Sequence, residues 1–196
     1  MQSVNIAFCI PGREFSARFL QSWTSLLKNL PQHFRWGLFN GYVPNIFYNR
    51  QALVDRAKMI RPTHYMWIDD DQVFDYLHFE KLFAHDLPII SGIYRRATGH
   101  GRIEQISNKY ACSLLNGKTL RDADIANKKT PMEVHANGFG FMLVKGEVFD
   151  RVTNPFQPTN TTQWEDFAFA ERARKLGYKS FIDPTIIVGH EKKLIL

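Results

Sequence analysis

The chain has 196 residues, a length suited to one domain with a substantial buried core. Hydrophobic residues make up 44% and charged residues 22%, a balance typical of globular proteins and unlike that of disordered chains. No apolar run is long enough to cross a membrane, and the N-terminal segment lacks the pattern of a secretory signal, so we predict neither.

Charge and cysteine content narrow the choice of partner and compartment. The net charge of +6 favours an anionic partner, such as a nucleic acid, a membrane surface or a phosphorylated small molecule. Charge alone does not choose among these three. The two cysteines, Cys9 in an apolar run and Cys112 in a polar region, do not suggest a disulfide framework. We therefore predict a reducing, cytoplasmic location.

Hydrophobic periodicity predicts strands that alternate with helices over the first half of the chain. Apolar runs predict four strands, at 4–10, 35–42, 64–69 and 87–94. Apolar residues at helical spacing predict the helices between them, at 15–30, 49–60 and 75–86. Such alternation indicates βαβ units, so the predicted fold class is a Rossmann-like α/β domain with a mixed, mostly parallel sheet flanked by helices.

The alternation stops after the fourth predicted strand. Residues 95–130 are polar and basic without a clear period, and we predict a long, partly irregular segment there. A glycine-bearing turn, a strand and a short helix are predicted over 132–152. A helix over 164–177 closed by Gly177 follows, with one or two short strands after it. We find no repeat or linker in the sequence, so residues 1–196 are predicted to be one domain.

Three consecutive aspartates, Asp69, Asp70 and Asp71, follow the third predicted strand. Ligands of open α/β sheets bind outside the carboxyl ends of the strands, which is where this triplet falls. In an extended chain Asp69 and Asp71 share one face, and two carboxylates on one face suit Mg²⁺ or Mn²⁺. The alternative is that the triplet supplies a cap and favourable charge to the next helix, for which Asp75 is a rival cap.

An apolar strand that ends in Asp-x-Asp resembles the DxD motif of GT-A-fold glycosyltransferases. Residues 137–152 resemble the segment in which such enzymes place a glycine-bearing, acceptor-side loop before a strand and a helix. Residues 164–190 resemble their Glu-Asp pair at a helix start, followed by a Leu-Gly-Tyr turn, a strand and a late histidine. Three features in the same order are more specific than one aspartate pair, and the resemblance covers most of the chain outside 95–130.

The resemblance implies a metal-dependent enzyme that transfers a sugar from a nucleotide diphosphate sugar, with UDP the expected nucleotide, to a hydroxyl acceptor such as a glycan. Inversion is the expected outcome, Mn²⁺ or Mg²⁺ the implied cofactor, and no nucleic-acid partner is expected. Asp69, Asp71 and His190 are implied to hold the metal, with Asp71 as the direct ligand. Asp166 is the predicted catalytic base. Because it lies in the first turn of a helix, which favours the ionised form, we expect its placement to matter more than a raised pKa.

Donor contacts are predicted after the strand ends and on the second helix. The predicted nucleotide-sugar-binding residues are Pro11, Arg13, Arg50, Arg56, Asp69, Asp70, Asp71 and Arg95. The alternative for Arg13, Arg50 and Arg56 is a solvated surface position, and Asn49 is the expected cap of the second helix. A basic cluster after the fourth strand either contacts the diphosphate or acceptor or is a mobile loop; it comprises Arg95, Arg96, His100 and Arg102.

The acceptor side is predicted around two segments and comprises Gly138, Phe139, Gly140, Trp164 and Glu165. His135 precedes the first of these segments and is a further candidate. Thr162 and Glu165 fit the S/T-x-x-E capping box, which would make Glu165 a structural residue.

Two other classes of protein stay open on the sequence alone. A metal-dependent phosphohydrolase or nuclease also gathers aspartates at strand ends, but it needs further acidic ligands, for which Glu165 and Asp166 are the obvious donors. A non-enzymatic nucleic-acid-binding domain would suit the basic charge. Most aromatic residues fall at core spacing, however, rather than on a basic stacking surface. The oligomeric state stays open.

Overall fold

The computed structural model describes residues 3–97, 106–160 and 163–191. Within these residues the strands are β1 (Asn5–Pro11), β2 (Arg35–Gly41), β3 (His64–Ile68), β4 (Gln72–Val73), β5 (Ile89–Ile93), β6 (Arg95–Ala97), β7 (Ile106–Ser113), β8 (Thr119–Arg121), β9 (Met132–Val134), β10 (Ala136–Asn137), β11 (Phe141–Lys145), β12 (Ser180–Ile187) and β13 (Gly189–His190). The helices are α1 (Ala17–Asn29), α2 (Ile46–Ala57), α3 (Tyr76–Ala84), α4 (Asp122–Ile125), α5 (Gly146–Arg151) and α6 (Glu165–Lys175), with a 3₁₀ turn at Lys58–Ile60. None of the described helices is long and apolar enough to cross a membrane.

Seven strands form the central sheet, in the order β2-β1-β3-β11-β5-β12-β9. Strand β1 pairs in parallel with β2 and β3, and β12 pairs in parallel with β5. Strands β11 and β9 run antiparallel to their neighbours. Five of the seven strands therefore point the same way, and the predicted mixed, mostly parallel sheet is confirmed.

Helices cover both faces of this sheet. Along β1, Phe8 packs on one face with side chains of α1 and α3, while Ala7 and Cys9 pack on the other face with side chains of α2, α5 and α6. A strand buried on both faces reads as an unbroken apolar run, which explains the sequence of β1.

Local capping chemistry sets where the helices begin. Ser16 accepts a hydrogen bond from the Phe19 amide at the start of α1. Asp75 caps α3 as anticipated. The predicted cap of the second helix is wrong: Asn45 is the cap of α2, and Asn49 lies inside the helix. Asn49 is only 3% exposed because its side-chain amide donates to the Gly41 carbonyl at the end of β2.

The segment predicted to be irregular forms a second, small antiparallel sheet in its described part. Strand β7 pairs with β6, β8 and β10. The Arg95 guanidinium holds this sheet to α4 through two hydrogen bonds to the Asp122 carboxylate, of 3.2 and 3.0 Å. A polar sequence gives little hydrophobic signal for such strands, so the sequence did not predict them. Strand β13 adds a short antiparallel pair with β4, directly after the aspartate triplet.

Candidate functional site

Two clefts contain some of the polar side chains that the sequence singled out. The first, of about 740 Å³, lies where β1, β2 and β3 end, and its lining includes Arg13, Glu14, Tyr42, Asp70, Asp71 and Glu191. The second, of about 530 Å³, lies between the small sheet and the start of α6, and its lining includes Arg96, Ser113, Thr119, His135, Trp164 and Asp166. The first cleft occupies the carboxyl edge of the sheet, the position that open α/β sheets use for ligands.

The three aspartates of the triplet point to three different partners. The chain turns directly after β3, and the Gln72 amide donates to the Asp69 carbonyl at 3.1 Å. Asp69 accepts from Arg50, Asp71 lies beside His190, and Asp70 packs against Gly12, where an added Cβ would overlap its carboxylate. The condition under which Asp69 and Asp71 were expected to share one face is not met, because the extended conformation ends at Ile68.

Within the triplet, neighbouring carboxylates raise the pKa of both Asp69 and Asp70. Burial is the largest cause that raises the pKa of Asp70, and the neighbouring carboxylates of Asp71 and Asp69 raise that pKa further. Asp70 also lines the first cleft together with Glu14, Asp71 and Glu191, against one guanidinium, that of Arg13. This cleft therefore favours a positively charged ligand, or an anion accompanied by a cation.

The imidazole of His190 is oriented by its two hydrogen-bonding neighbours. Its Nδ1 lies 2.7 Å from the Arg95 carbonyl oxygen, which can only accept, so Nδ1 carries the proton. Its Nε2 then faces the Oδ2 atom of Asp71 at 3.1 Å. A neutral imidazole presents a lone pair to the carboxylate in this arrangement. A proton on Nε2 or a shared cation is needed to make the contact favourable.

The Asp71–His190 pair fits one side of an octahedral metal site. Adjacent ligands at about 2.0–2.1 Å from an octahedral ion lie about 3 Å apart, close to the 3.1 Å between Nε2 and Oδ2. A mixed nitrogen and oxygen pair suits Mn²⁺ better than Mg²⁺. Among the described residues, however, no group of three or more His, Cys, Asp or Glu side chains could hold an ion. The three-ligand set expected from Asp69, Asp71 and His190 is thus not assembled, because Asp69 turns to Arg50.

Arg50 is a buried counter-ion shared by two carboxylates. Its side chain is 4% exposed, with Nη2 donating to Asp69 at 3.0 Å and Nε donating to Glu165 at 3.3 Å. The guanidinium lies over the rings of Trp67 and Phe139, 5.6 and 5.0 Å from their centroids. Burial raises the pKa of Asp69, and the Arg50 charge offsets part of that rise. Arg50 therefore links the turn after β3 to the first residue of α6.

This placement corrects two expectations. Arg50 is enclosed by its partners rather than open to a donor phosphate, because α2 directs it into the protein. Glu165 does not belong to a capping box: Trp164 is the N-cap of α6 and Glu165 is its first helical residue. Thr162, the expected cap, lies outside the described residues. Glu165 is structural as anticipated, but through its ion pair with Arg50.

Asp166 lines the second cleft at the first turn of α6, where its carboxylate accepts a hydrogen bond of 2.8 Å from the Phe167 amide. Burial and then the adjacent Glu165 raise its pKa to about 6. The backbone hydrogen bond from Phe167 at the helix start lowers the pKa of Asp166, but burial and the like charge of Glu165 raise it by more. Asp166 is consequently a stronger base than an ordinary aspartate.

The remaining predicted donor residues divide between the first cleft and other sites. Arg13 is exposed in the first cleft, 4.9 Å above the Tyr42 ring. Pro11 is buried at the end of β1. Arg56 is exposed and donates to the Asn40 carbonyl.

The basic cluster after β5 splits in the structure. The Arg95 side chain pairs with Asp122, and its backbone carbonyl orients His190. Arg96 lines the second cleft. His100 and Arg102 lie outside the described residues.

Only part of the predicted acceptor side reaches a cleft. Phe139 is 1% exposed in the core, which corrects its assignment as an acceptor contact. Gly138 and Gly140 are glycines because Tyr94 packs against them; an added Cβ at either position would overlap the tyrosine. Trp164 is 70% exposed in the second cleft, and His135 also lines that cleft.

Sequence reasoning missed Tyr42, Ser16 and Glu191 in the first cleft. Tyr42 directly follows β2, so the strand-end rule that identified the aspartates could also have identified it. No sequence pattern identifies Glu191 as a cleft residue, because contacts with distant segments hold it there. Its carboxylate accepts a hydrogen bond from the Ser16 hydroxyl, and its backbone amide donates to the Asp71 carbonyl.

No protein-family model matches the sequence, and no curated protein matches it. Solved structures do match. The crystal structure of A197 from STIV aligns with a TM-score of 0.57 and 15% identity, over 98% of this chain and 96% of that one. A crystal structure of GalNAc-T7 with UDP, GalNAc and Mn²⁺ aligns with a TM-score of 0.64 and 12% identity, over 98% of this chain and 45% of that one. At these identities the likeness shows the fold, and it agrees with the predicted GT-A-like α/β architecture.

Proposed function

We propose that this chain is a metal-dependent glycosyltransferase that moves a sugar, with inversion, from a nucleotide diphosphate sugar to a hydroxyl group of a glycan. The observation that carries the proposal is the contact of His190 with Asp71, a carboxylate that lines the cleft at the carboxyl edge of the sheet. A UDP-sugar is the proposed donor and Mn²⁺ the proposed ion, because the structure of GalNAc-T7, which shares the fold, contains UDP, GalNAc and Mn²⁺.

The charge of the first cleft supports a metal–diphosphate ligand. Its lining carboxylates outnumber the single guanidinium of Arg13, so a bare diphosphate would be repelled. Asp71 and His190 would hold the ion, with diphosphate oxygens and water completing its coordination. When bound, the ion stabilises the negative charge that grows on the departing nucleoside diphosphate. Arg13 and Tyr42, which line the same cleft, are the proposed contacts to the nucleotide.

Asp166 is the proposed base. An inverting transferase must take a proton from the acceptor hydroxyl as that oxygen attacks the anomeric carbon, and an ionised carboxylate within hydrogen-bond reach can accept it. With a pKa raised to about 6, Asp166 is still mostly ionised at neutral pH and is more basic than an ordinary aspartate.

We propose that Arg50 connects the turn that holds the metal ligand Asp71 to the helix start that holds the base Asp166. It binds Asp69, which begins the turn that contains Asp71, and Glu165, which directly precedes Asp166. Two ion pairs to one buried guanidinium restrain the position of the metal-side turn relative to the base. Asp69 and Glu165 then act by positioning, without contacting the donor.

The proposal is tested by turnover. The full chain is incubated with a panel of nucleotide sugars and Mn²⁺, with and without simple glycosides, and nucleoside diphosphate release is measured. We expect release that depends on Mn²⁺, is stopped by EDTA and is lost in Asp71→Asn. The matched control, Asp55→Asn on the exposed side of α2, should keep full activity.

Two outcomes would replace the proposal. Metal-dependent cleavage of phosphodiesters without sugar transfer would indicate a phosphohydrolase or nuclease. Salt-dependent binding of polynucleotides, unaffected by Mn²⁺ and by Asp71→Asn, would indicate a nucleic-acid-binding domain.

A further inference from the structure

The central sheet has an open outer edge at β2. In the described part of the chain, β2 pairs on one side only, with β1. The Arg35 amide donates to the Val4 carbonyl, so the odd-numbered residues of β2 turn their backbone groups towards β1. Because backbone groups alternate in direction along a strand, the N–H and C=O groups of Trp36 and Leu38 point outwards. None of these four groups pairs with another described residue.

The free part of this edge lacks the usual protection against pairing. Natural edge strands are protected by charged side chains, proline or bulges. Between Trp36 and Asn40 the strand has no charged residue and no proline, and its register with β1 is regular. Only the Asn40 carbonyl is occupied, by a hydrogen bond of 2.9 Å from Arg56 Nη1. The edge is therefore a template on which another extended chain can pair.

The side chains along the free edge are apolar and held in place. Trp36 and Leu38 lie on the same face of the sheet and are 45% and 47% exposed. The Trp36 indole packs edge-on against the rings of Phe8 and Trp23, with centroids 6.2 and 6.3 Å apart. Two ordered apolar residues at alternate positions complement two apolar side chains at alternate positions of an incoming strand.

The charge around the free edge is positive. Residues 15–54, which include β2, contain no aspartate or glutamate. Arg35 is exposed at the start of β2, and the exposed Arg56 lies beside Asn40 at the other end of the free edge. Arg35 shares with Phe39 the face of the sheet on which α2, the helix of Arg56, packs. The edge therefore complements a strand that carries a carboxylate towards each of its ends.

We propose that the β2 edge binds an extended acidic segment of a partner protein as an added antiparallel strand. Two apolar residues of that segment lie opposite Trp36 and Leu38 and exchange four backbone hydrogen bonds with them. The residue between those two lies opposite Gly37. This interaction surface lies outside both clefts and goes beyond the proposed transferase reaction.

The acidic residues of the segment flank its apolar pair. One lies opposite Arg35, and the other lies opposite Phe39, towards Arg56. The recognised pattern is thus acidic, apolar, any residue, apolar, acidic. Because β2 leads directly into Tyr42, which lines the first cleft, the bound partner is held next to that cleft.

Two other occupants fit the edge less well. Antiparallel pairing of two copies of β2 brings Arg35 of one copy opposite Phe39 or Gly41 of the other, close to its Arg56, so like charges meet. A single-stranded nucleic acid matches the positive charge but has no regular row of N–H donors for the free carbonyls of Trp36 and Leu38.

The test is an NMR titration of the isotope-labelled full chain with the terminally blocked peptide Glu-Val-Thr-Val-Glu. The amide resonances of Trp36 and Leu38 should shift, because their N–H groups gain acceptors. The same peptide with both valines N-methylated keeps its side chains and its charge but lacks the two donors. We expect that peptide, and one with lysine in place of both glutamates, to bind about 10-fold more weakly or worse.

Three variants test the surface from the side of the protein. Leu38→Pro removes one outward N–H group without removing a bond to β1, and it should weaken peptide binding about 10-fold or more. Arg35→Glu should weaken binding about fivefold or more at low salt, because like charges then meet. The matched control, Lys81→Glu on α3, changes the net charge equally and should alter binding less than about twofold. Thermal denaturation checks that each variant is folded.

Three results would overturn the proposal. The first is equal binding of the N-methylated peptide, or peptide-induced shifts confined to residues away from β2. The second is tighter binding of a single-stranded oligothymidylate at Trp36 and Leu38, which would indicate a nucleic-acid surface. The third is a dimer of the wild type in sedimentation velocity that Leu38→Pro dissociates, which would show that the edge binds a second copy.

Discussion

Asp166→Asn should lower the activity of the protein and raise its stability. The variant keeps the shape of the side chain and can still accept from the Phe167 amide, but it cannot take up a proton. We expect kcat to fall by about 10²–10⁴-fold, the usual size of a general-base contribution, with donor binding unchanged. In the wild type, kcat should fall about tenfold per pH unit below a pH of about 6, because the base is then protonated.

The stability change follows from the raised pKa of Asp166. In the unfolded chain this carboxyl titrates near its ordinary value of 3.8, whereas in the folded protein its pKa is about 6, so folding disfavours the ionised form. This unfavourable contribution is absent below pH 4, grows as the pH rises through 6, and is then constant. Each pH unit between the two pKa values corresponds to 1.36 kcal/mol, so Asp166→Asn should stabilise the protein by about 3 kcal/mol at pH 8.

Urea unfolding of wild type and variant at pH 4 and at pH 8 measures this change, and initial transfer rates between pH 5 and 8 measure the activity. Asp55→Asn, an exposed aspartate on α2, serves as the control and should change neither quantity. Full activity in Asp166→Asn would show that another group is the base. A stability gain that is equal at the two pH values would refute the electrostatic account of Asp166.

Two further predictions concern the buried guanidinium and the metal. Arg50→Met should destabilise the protein by about 3–5 kcal/mol in urea unfolding, because it leaves the carboxylates of Asp69 and Glu165 without a counter-ion. The exposed Arg56→Met should cost less than about 1 kcal/mol, and equal losses in the two variants would contradict the role of Arg50. His190→Ala should weaken Mn²⁺ binding more than Mg²⁺ binding in calorimetric titration, because imidazole suits Mn²⁺ better. An equal loss for both ions, or none, would argue against ligation by His190.

The sequence predicted those elements in which burial requires apolar residues at a regular spacing. Strand β1 and helix α1 carry apolar residues at the spacings that their environments require, and both were predicted with small boundary errors. Strand β7 was missed because its exposed positions, such as Asn108 and Lys109, leave no apolar alternation. Hydrophobic periodicity does not predict strands that are stabilised mainly by pairing with neighbouring strands.

The site was predictable in its location and less so in its connections. The structure places the aspartate triplet after β3 at the carboxyl edge of the sheet, where the sequence predicted it, and the Asp71–His190 contact joins two residues that the resemblance had paired. The turn after Ile68 and the enclosure of Arg50 depend on contacts between distant segments, which one sequence does not display. The raised pKa of Asp166 likewise reflects tertiary burial, which outweighs the local effect of the helix start.

Calorimetric titration of the wild type and of Asp71→Asn with UDP, in the presence of Mn²⁺ and then of EDTA, tests the central claim most directly. Because the first cleft is rich in carboxylates, UDP should bind the wild type only with the metal present. Folded Asp71→Asn should bind neither Mn²⁺ nor UDP to a measurable extent. Equal UDP affinity with and without Mn²⁺, or unchanged binding in Asp71→Asn, would contradict a metal–diphosphate site at Asp71 and His190.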